Sequence, residues 1–435
     1  MIEQPVPGDQ SAASRALLLH PVIDYSDDAD SREEFRRLAE SAGLEVVAEL
    51  KAPRERPDPR YMVGSGKVEE VAQAIEAMDV GVVLVNGRLS PVQERNLARR
   101  FCCNVLDRTT LILDIFAQRA RSHEGKLQVE LAQLKHLSTR LVRGWTHLER
   151  QRGGIGLRGP GETQLETDRR LLGDRIRLLT ARLGRVEQQR AQGRRSRQRS
   201  EVPLVALVGY TNAGKSTLFN RLTEASVSAR DQLFATLDPT VRRIEDLDGS
   251  AILMSDTVGF IRDLPHELIA AFRATLEETL SATLVVHVID GADPDRARHQ
   301  VVVEEVLRDI GAGELPRLKV FNKADATDRA PGLERNAGGE ITGVWLSAIT
   351  GEGMDAFERA ISELIGEGRI RRRIHLPPEH QRLRARLFEL GVVRDEQPDE
   401  LGGCDLEVDL DRRDARILSR LDGAEGRLAE QLLLN

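Results

Sequence analysis

Long apolar runs, cysteines and a leader of secretory type are scarce or missing in this sequence. No window approaches 18 consecutive apolar residues, which argues against a transmembrane helix. The N-terminal stretch MIEQPVPGDQSAAS lacks a basic segment followed by an apolar one, so we expect no secretory signal. The cytoplasm is therefore the expected location, and peripheral association with a membrane stays open as an alternative.

Cysteine usage is sparse and its spacing is uninformative for metal binding. Cys102 and Cys103 are adjacent, Cys404 stands alone, and no C-x-x-C spacing or histidine cluster accompanies them. A disulfide scaffold or a zinc site is therefore not expected. Small buried or half-buried thiols in a reducing compartment are the interpretation that this usage favours.

An excess of positive charge is also missing, because the net charge is −7, but the charge is unevenly distributed. The segment from Arg182 to Arg199 holds seven arginines and one acid, Glu187. Such a segment can bind phosphate, although a solvated linker is an equally simple interpretation. The 435 residues, 40% hydrophobic and 31% charged, indicate a soluble globular protein of two to four domains.

Residues 1–121 alternate short apolar runs with amphipathic stretches, which predicts a small parallel α/β domain. Pro53, Pro57 and Pro59 predict a loop within it. The expected strands are Ala16–Leu19, Glu45–Leu50, Val82–Val85 and Asn104–Leu106. The expected helices are Arg32–Ala42, Lys67–Met78 and Pro91–Arg100.

Residues 122–200 change to a heptad pattern, which predicts a long antiparallel helical hairpin. A glycine-rich connector, Arg152–Gly161, separates the two stripes and is expected to continue neither helix. The second helix is expected to end in a polar, arginine-rich linker. The first stripe is Leu127, Leu131, Leu134, Leu141, Trp145 and Leu148. The second stripe is Leu165, Leu172, Ile176, Leu179, Leu183 and Val186.

Residues 201–368 return to strand–helix alternation with nearly continuous apolar strands, which suits a mostly parallel sheet covered on both faces. Residues 369–435 predict a small C-terminal α/β module. The strands expected in the larger unit are Leu204–Val208, Ile252–Met254, Leu284–Ile289, Leu318–Phe321 and Val344–Leu346.

The sequence Gly209-Tyr-Thr-Asn-Ala-Gly-Lys-Ser216 fits the phosphate-loop pattern, and it leaves an apolar strand and opens a helix. Its glycines would let backbone N–H groups surround phosphates at the helix N-terminus. Lys215 would reach the β- and γ-phosphates, and the Ser216 hydroxyl would bind Mg²⁺. A structural turn that matches by chance is the alternative. The expected contacts are Gly209, Tyr210, Thr211, Asn212, Ala213, Gly214, Lys215, Ser216 and Thr217.

A second motif, Asp256-Thr257-Val258-Gly259, ends another apolar strand 47 residues after Gly209. An aspartate at the carboxyl end of a strand beside a phosphate loop is the expected magnesium anchor. Gly259 would donate its backbone N–H to the γ-phosphate, because no side chain blocks that approach. D-x-x-G is common in isolation, so the spacing from the phosphate loop carries this prediction.

A third element, Asn322-Lys323-Ala324-Asp325, follows the strand Leu318–Phe321 and predicts guanine recognition. Guanine presents N1–H and an exocyclic amine, which one carboxylate, Asp325, can accept together. Adenine presents an acceptor where guanine has N1–H, so it would be rejected. A surface turn with a helix cap is the simpler alternative for NKAD alone. Three residues after a later strand would close over the base edge: Ser347, Ala348 and Ile349.

These elements resemble those of translation-factor-related GTPases, and two further segments narrow the family. Phe234-Ala235-Thr236-Leu-Asp-Pro-Thr240 resembles switch I of the Obg–HflX superfamily, where Thr236 aligns with a magnesium-binding threonine and Thr240 is the competing candidate. The joint from Gly153 to Arg170 resembles the signature of HflX-type GTPases. The resemblance covers nearly the whole chain and is weakest after Arg371.

The resemblance implies an enzyme that hydrolyses GTP to GDP and phosphate with Mg²⁺. In that picture Lys215, Thr236 and Gly259 carry catalysis, while Ser216, Thr236 and Asp256 hold the metal. HflX-type proteins bind the large ribosomal subunit and its rRNA, and they dissociate stalled or idle ribosomes under stress. We therefore expect ribosomal RNA contacts at the hairpin tip, and a monomer in solution. The tip residues concerned are Arg152, Gly154, Gly156, Arg158, Gly159 and Gly161; a plain helix connector is the alternative.

Two observations leave alternatives open. Ras-type enzymes place a water-orienting glutamine after D-x-x-G, whereas this chain has Phe260, so another group supplies that role or intrinsic hydrolysis is slow. The stretch Val63-Gly-Ser-Gly-Lys67 raises the idea of a second, ATP-binding site, although it is too short for a phosphate loop and favours a helix-starting turn.

A GTPase acting in RNA modification, or on another protein or membrane target, is the remaining alternative for the function of the whole protein.

Overall fold

The computed structural model describes residues 14–23, 28–149, 160–199, 202–223, 233–234, 240–245, 251–262, 279–367, 369–399, 402–419, 421 and 423–434. In that part of the chain, no helix is both long enough and apolar enough to cross a membrane.

The first sheet is fully parallel, with strand order β2-β1-β3-β4. The four predicted strands are confirmed, and the structure extends three of them. The prediction of a loop at Pro53 is wrong, because Pro53 lies in β2. An edge strand tolerates proline since one side of its ladder is unpaired. The bounds are Arg15–Ile23 (β1), Glu45–Arg54 (β2), Val82–Val85 (β3) and Asn104–Asp107 (β4).

Four helices accompany this sheet, and three of them confirm the predictions. The fourth, α4, was not predicted, although the Asp107 side chain caps it by accepting the Thr110 N–H at 2.9 Å. The α3 helix begins with a capping box between Ser90 and Gln93. The bounds are Ala29–Ser41 (α1), Ser65–Met78 (α2), Pro91–Phe101 (α3) and Arg108–Arg119 (α4).

The Gly64-Ser-Gly-Lys67 stretch starts α2, as the helix-start interpretation predicts. Gly64 is the N-cap, and the Lys67 ammonium pairs with the Glu70 carboxylate at 2.6 Å on the same helix. This arrangement gives Lys67 a local partner one turn away.

The cysteine prediction is correct for two residues and wrong for one. Cys404 is buried and Cys103 is half-buried, but Cys102 is exposed at the left-handed C-cap of α3. All three thiols are free.

The hairpin consists of α5, His123–Glu149, and α6, Pro160–Arg199. Its predicted seam is confirmed near the base, where a core cluster unites Leu127, Leu131, Leu179 and Leu183. The predicted linker after the second stripe is wrong, because α6 continues through the arginine-rich segment to Arg199. Pro160 and Gly161 also belong to the first turn of α6, where proline is tolerated because its missing N–H has no intrahelical acceptor.

The second sheet has seven strands in the order β10-β11-β9-β8-β5-β7-β6. Its five predicted strands form a parallel centre, and the two antiparallel edge strands, β6 and β10, were not predicted. The bounds are Leu204–Val208 (β5), Thr240–Glu245 (β6), Ala251–Asp256 (β7), Leu284–Asp290 (β8), Arg317–Asn322 (β9), Gly332–Arg335 (β10) and Ile341–Trp345 (β11).

Three described helices belong to the connections of this sheet, and the C-terminal unit follows them. The C-terminal sheet is antiparallel, in the order β12-β14-β13. The larger unit has α7 (Lys215–Thr223), α8 (Arg296–Asp309) and α9 (Met354–Glu367). The C-terminal unit has β12 (Arg369–Leu376), α10 (Gln381–Glu389), β13 (Val393–Pro398), β14 (Cys404–Asp411), α11 (Arg412–Ser419) and α12 (Ala424–Leu433).

One hydrophobic core joins the first sheet's layer to the seven-stranded sheet. Leu111 and Phe116 of α4 belong to the same buried cluster as Val208 at the end of β5 and Phe260. Because β5 leads into the predicted phosphate loop, this shared core places the N-terminal unit against that loop.

Candidate functional site

The phosphate loop, Gly209–Ser216, joins β5 to α7 at the carboxyl edge of the seven-stranded sheet. A Cβ at Gly209 would lie 2.2 Å from the Val288 carbonyl oxygen, and one at Gly214 would lie 2.1 Å from Asn322 Nδ2. Gly214 also has φ +89°, a conformation that glycine adopts without strain. Both glycines are therefore required for the close packing of this loop on its neighbours.

Lys215 is the first residue of α7 and is buried. Its ammonium donates to the carbonyl oxygens of Gly209 at 3.0 Å and Tyr210 at 2.8 Å. Burial lowers the pKa of Lys215 to about 8, although the Asp256 carboxylate opposes that shift. A buried ammonium that donates to carbonyls at the N-terminus of a helix can exchange these acceptors for phosphate oxygens.

Ser216 and Asp256 are brought together from two elements. The Ser216 hydroxyl donates to Asp256 Oδ2 at 2.9 Å, and Asp256 is fully buried at the end of β7. A hydroxyl and a carboxylate are hard oxygen ligands, so the pair fits Mg²⁺. Thr236 and Ala235 lie outside the described residues. Thr240, the competing threonine, begins β6 directly opposite Asp256.

The D-x-x-G segment lies against the phosphate loop. The Thr211 N–H donates to the Phe260 carbonyl at 2.7 Å, and the Phe260 N–H donates to the Gly209 carbonyl at 3.1 Å. A Cβ at Gly259 would lie 2.9 Å from Thr211 Cγ2 and 3.1 Å from the Lys215 ammonium. Glycine is thus required here by close approach. Thr257 and Val258, between Asp256 and Gly259, are buried, and the Thr257 hydroxyl donates to the Leu207 carbonyl at 2.6 Å.

The hydrophobic residue after D-x-x-G has a clear structural role. Phe260 is buried in the core that joins the two sheets, where a glutamine would leave its amide without water. Phe234 belongs to the same cluster, and its ring lies 4.5 Å from that of Phe116 of α4. The ring of Phe234 therefore packs in the core, and its predicted contact with GTP stays a prediction.

Asn322 ties the phosphate loop to the residues predicted to close over the base. Its side-chain amide donates to the Ala213 carbonyl at 2.9 Å and accepts the Ala348 N–H at 2.9 Å. Asn322 is buried, so both bonds are shielded from water. One side chain thus fixes the spacing between the two halves of the predicted nucleotide site.

The remaining base-reading residues lie at the rim. Asp325 is exposed in a short 3₁₀ helix, Ala324–Ala326, and Lys323 pairs with Asp290 at 2.7 Å. Ser347 is buried, and its hydroxyl accepts the Thr350 N–H at 3.1 Å. Ile349 is exposed. Two further residues were predicted to contact GTP: Asn212 lies in the phosphate loop, and Thr217 lies in α7.

Tyr210 of the phosphate loop has a partner that sequence reasoning missed. Its hydroxyl donates to the Glu34 carboxylate of α1 and accepts the Arg262 N–H at 3.0 Å. Arg108 of α4 donates to the same Glu34 and, at 3.2 Å, to the Arg262 carbonyl. Burial and the Glu34 carboxylate raise the pKa of the Tyr210 hydroxyl, so it stays a donor. No local sequence signal could have revealed this contact, since Tyr210 and Glu34 are 176 residues apart.

Of the tip residues predicted to contact RNA, only Gly161 falls within the described residues, in the first turn of α6. Arg152, Gly154, Gly156, Arg158 and Gly159 lie outside them.

Four family descriptions match consecutive parts of the chain. "GTP-binding GTPase N-terminal" matches residues 29–117, and "GTP-binding GTPase Middle Region" matches 119–197. "50S ribosome-binding GTPase" matches 204–323, which contains the phosphate loop, D-x-x-G and NKAD. "HflX C-terminal domain" matches 332–431, so Ser347–Ile349 fall in that last part.

Full-length relatives decide the family. GTPase HflX of Escherichia coli (strain K12) is 53% identical over 414 residues, covering 95% of this chain and 97% of that protein. The chain belongs to the HflX family of GTPases. GTPase HflX of Magnetococcus marinus is 48% identical over 390 residues, 88% of this chain and 89% of that protein.

This HflX-family chain is accordingly a GTPase. Among solved structures, the complex of SsGBP with GDP is 24% identical and covers 81% of this chain and 99% of its own, with a TM-score of 0.47.

Proposed function

We propose that this HflX-family GTPase binds GTP between the phosphate loop and the segment Ser347–Ile349. The buried Asn322 side chain carries this proposal, because it bonds to the phosphate loop through Ala213 and to the base-side segment through Ala348. Lys215 would bind the β- and γ-phosphates, and Gly259 would donate to the γ-phosphate. Asp325, exposed at the rim, would accept the two guanine donors.

Ser216 and Asp256 would hold Mg²⁺, and Thr236 would complete the set. An ion held there would neutralise the negative charge that develops on the phosphates during phosphoryl transfer. The 2.9 Å bond between Ser216 and Asp256 supports this proposal, because the aspartate orients the hydroxyl. Catalysis would then rest on Lys215, Thr236 and Gly259.

We further propose that the GTPase acts on the large ribosomal subunit and dissociates stalled or idle ribosomes, under stress. The family description "50S ribosome-binding GTPase" over residues 204–323 supports the partner. The hairpin supports an RNA contact, because several arginines of α6 are exposed along its length. These are Arg169, Arg170, Arg182 and Arg185.

The proposed layout has four units: residues 1–121, the hairpin 122–200, the GTP-binding unit 201–368 and the C-terminal unit 369–435. A monomer in the cytoplasm is the proposed state. The match to "HflX C-terminal domain" begins at Gly332 in β10, so it includes the last part of the proposed GTP-binding unit as well as the C-terminal unit.

Intrinsic hydrolysis is expected to be slow and to accelerate when large ribosomal subunits are added. Phe260 cannot orient water, and its ring is buried, so an external surface must help to order the catalytic segments. Single-turnover hydrolysis measured with purified subunits checks this expectation. Small subunits at the same concentration are the control. Equal rates with and without large subunits would favour a target other than the ribosome.

Replacing Arg152 and Arg158 by alanine is expected to weaken binding to the large subunit and to flatten its salt dependence. Each lost phosphate contact should lower the log–log slope by roughly 0.7–0.9, because fewer counterions are released. Affinity for free GTP should not change. Binding to subunits is measured at several salt concentrations, with a double variant of Arg359 and Arg386 as the matched control, since both arginines are exposed and lie outside the hairpin. An unaltered slope in a folded variant would reduce the tip to a connector.

A further inference from the structure

Arg221 reaches from α7 to the base loop, which we define as Ser347–Gly351. Its guanidinium donates to three successive carbonyl oxygens of that loop: Ala348 at 3.3 Å, Ile349 at 2.9 Å and Thr350 at 3.0 Å. Within the described part of the chain no carboxylate pairs with Arg221. The helix that starts with Lys215 is therefore bonded to the predicted base-closing residues by one side chain.

Gly351 shows how closely the guanidinium lies against the base loop. A Cβ at Gly351 would be 2.0 Å from Arg221 Nη2 and 2.7 Å from Cζ. The φ of Gly351 is +91°, which also disfavours other residues. The loop backbone thus fits around the guanidinium, and a fork of fixed N–H donors suits several carbonyls at once.

The orientation of the carbonyls fixes the orientation of the loop's N–H groups. All described peptides are trans, so each N–H is antiparallel to the carbonyl of its own peptide. The Ala348 carbonyl faces Arg221, so the Ile349 N–H, in the same peptide, is directed away from Arg221. Among the described residues this N–H has no acceptor. The neighbouring Ala348 N–H is bonded to Asn322 Oδ1, which belongs to the predicted guanine-reading motif.

We propose that Arg221 is a positioning residue for base choice. By holding three carbonyls on one side of the base loop, it presents the Ile349 N–H to an acceptor on the purine, while the Thr350 and Gly351 N–H groups are bonded to Ser347. The C6 oxygen of guanine is such an acceptor, whereas the C6 amine of adenine is a donor. This inference rests on the proposed GTP site and adds a residue that contacts neither phosphate nor base.

A purely structural role for Arg221 predicts a different pattern. If its bonds only fasten α7 to the loop, their removal should weaken every nucleotide equally or lower stability alone. Nucleotides that differ at C6 separate the two roles. Inosine diphosphate keeps the C6 oxygen and N1–H, while 2-aminopurine riboside diphosphate lacks both.

The test measures dissociation constants of GDP, inosine diphosphate and 2-aminopurine riboside diphosphate by competition with a fluorescent GDP. Arg221→Ala is compared with the parent, with Arg221→Lys and with Arg359→Ala, an exposed arginine of α9. Arg221→Ala should weaken GDP and inosine diphosphate about 10-fold, the upper end of the loss expected for one neutral hydrogen bond, from the Ile349 N–H to the C6 oxygen. The ratio of variant to parent should stay near one for the 2-aminopurine nucleotide. Arg221→Lys should recover part of the loss, since one ammonium reaches fewer carbonyls.

Equal losses for all three nucleotides, or no loss for any, would overturn the role of Arg221 while leaving the GTP site intact. A parent protein that binds ADP as tightly as GDP would overturn the proposed site and this inference with it. Thermal unfolding of each variant accompanies the titrations. A lower melting temperature together with the selective loss at C6 supports the proposal, because stability alone cannot distinguish the three bases.

Discussion

Lys215→Ala is expected to lose most of the affinity for both GTP and GDP. The ammonium is buried at the start of α7 and, among the described residues, donates to two loop carbonyls, which phosphate oxygens can replace as acceptors. Charged hydrogen bonds contribute roughly 1.5–3 kcal/mol each, so two phosphate contacts predict a loss of about 100-fold or more. Titration of GDP and of a non-hydrolysable GTP analogue measures the effect.

Two variants serve as comparisons for Lys215→Ala. Lys319→Ala removes a lysine of β9, in the seven-stranded sheet. Its ammonium pairs with Glu304, so the nucleotide affinities of this variant should match those of the parent. Ser216→Ala should mainly lose the dependence of binding on Mg²⁺, because the hydroxyl contacts Asp256 rather than the Lys215 ammonium. If Lys215→Ala and Ser216→Ala both bind the analogue like the parent, the phosphate loop does not bind phosphate.

The same lysine gives the affinity a pH dependence whose sign follows from its lowered pKa. Burial lowers the pKa of Lys215 to about 8, so the amine loses its proton as the pH rises through about 8. The charged form binds phosphate more tightly. GDP affinity should therefore fall above about pH 8 in the parent, and this fall should be missing in Lys215→Ala.

Asp325→Asn is expected to bind xanthosine triphosphate in preference to GTP. The carboxylate is exposed at the rim, where it can accept the guanine N1–H and amine together. An amide donor at this position can instead pair with the C2 oxygen of xanthine. Loss of a charged pair of bonds predicts a loss of GTP affinity of at least ~10-fold.

Competition titrations with both triphosphates measure this exchange. Asp328→Asn, which changes another exposed aspartate three residues later, is the matched control. A GTP affinity in Asp325→Asn equal to that of the parent would show that Asp325 does not read the base. Equal losses in both variants would point instead to a general effect of negative charge.

Elements with strong local patterns could be predicted from the sequence. The apolar strands β3 and β5 match their predicted bounds, because buried parallel strands are nearly continuous apolar runs. Edge strands β6 and β10 lack such runs, with sequences TVRRIE and GLER, so their pairing depends on the neighbouring strand. The α4 helix is apolar on several faces, since it packs in the core between two units, and its pattern therefore has no clear helical period.

The motif residues of the candidate site could be identified from the sequence, but the residues that bond to them from other parts of the chain could not. The phosphate loop, D-x-x-G and NKAD are each short local motifs whose residue types indicate their chemistry. Glu34, Arg108 and Arg221 contact the site through partners 74 to 176 residues away, so only the fold brings them there. Phe260 lies between these cases: the sequence shows that glutamine is missing, and the shared core gives the reason.

Sedimentation of this HflX-family chain with ribosomes on sucrose gradients tests the central claim most directly. Parallel gradients contain GTP, a non-hydrolysable GTP analogue or GDP. We expect the chain to migrate with the large subunit in the presence of the analogue, and the peak of whole ribosomes to decrease in favour of free subunits. A chain that stays at the top of the gradient with every nucleotide, while it still binds GTP, would contradict action on the ribosome.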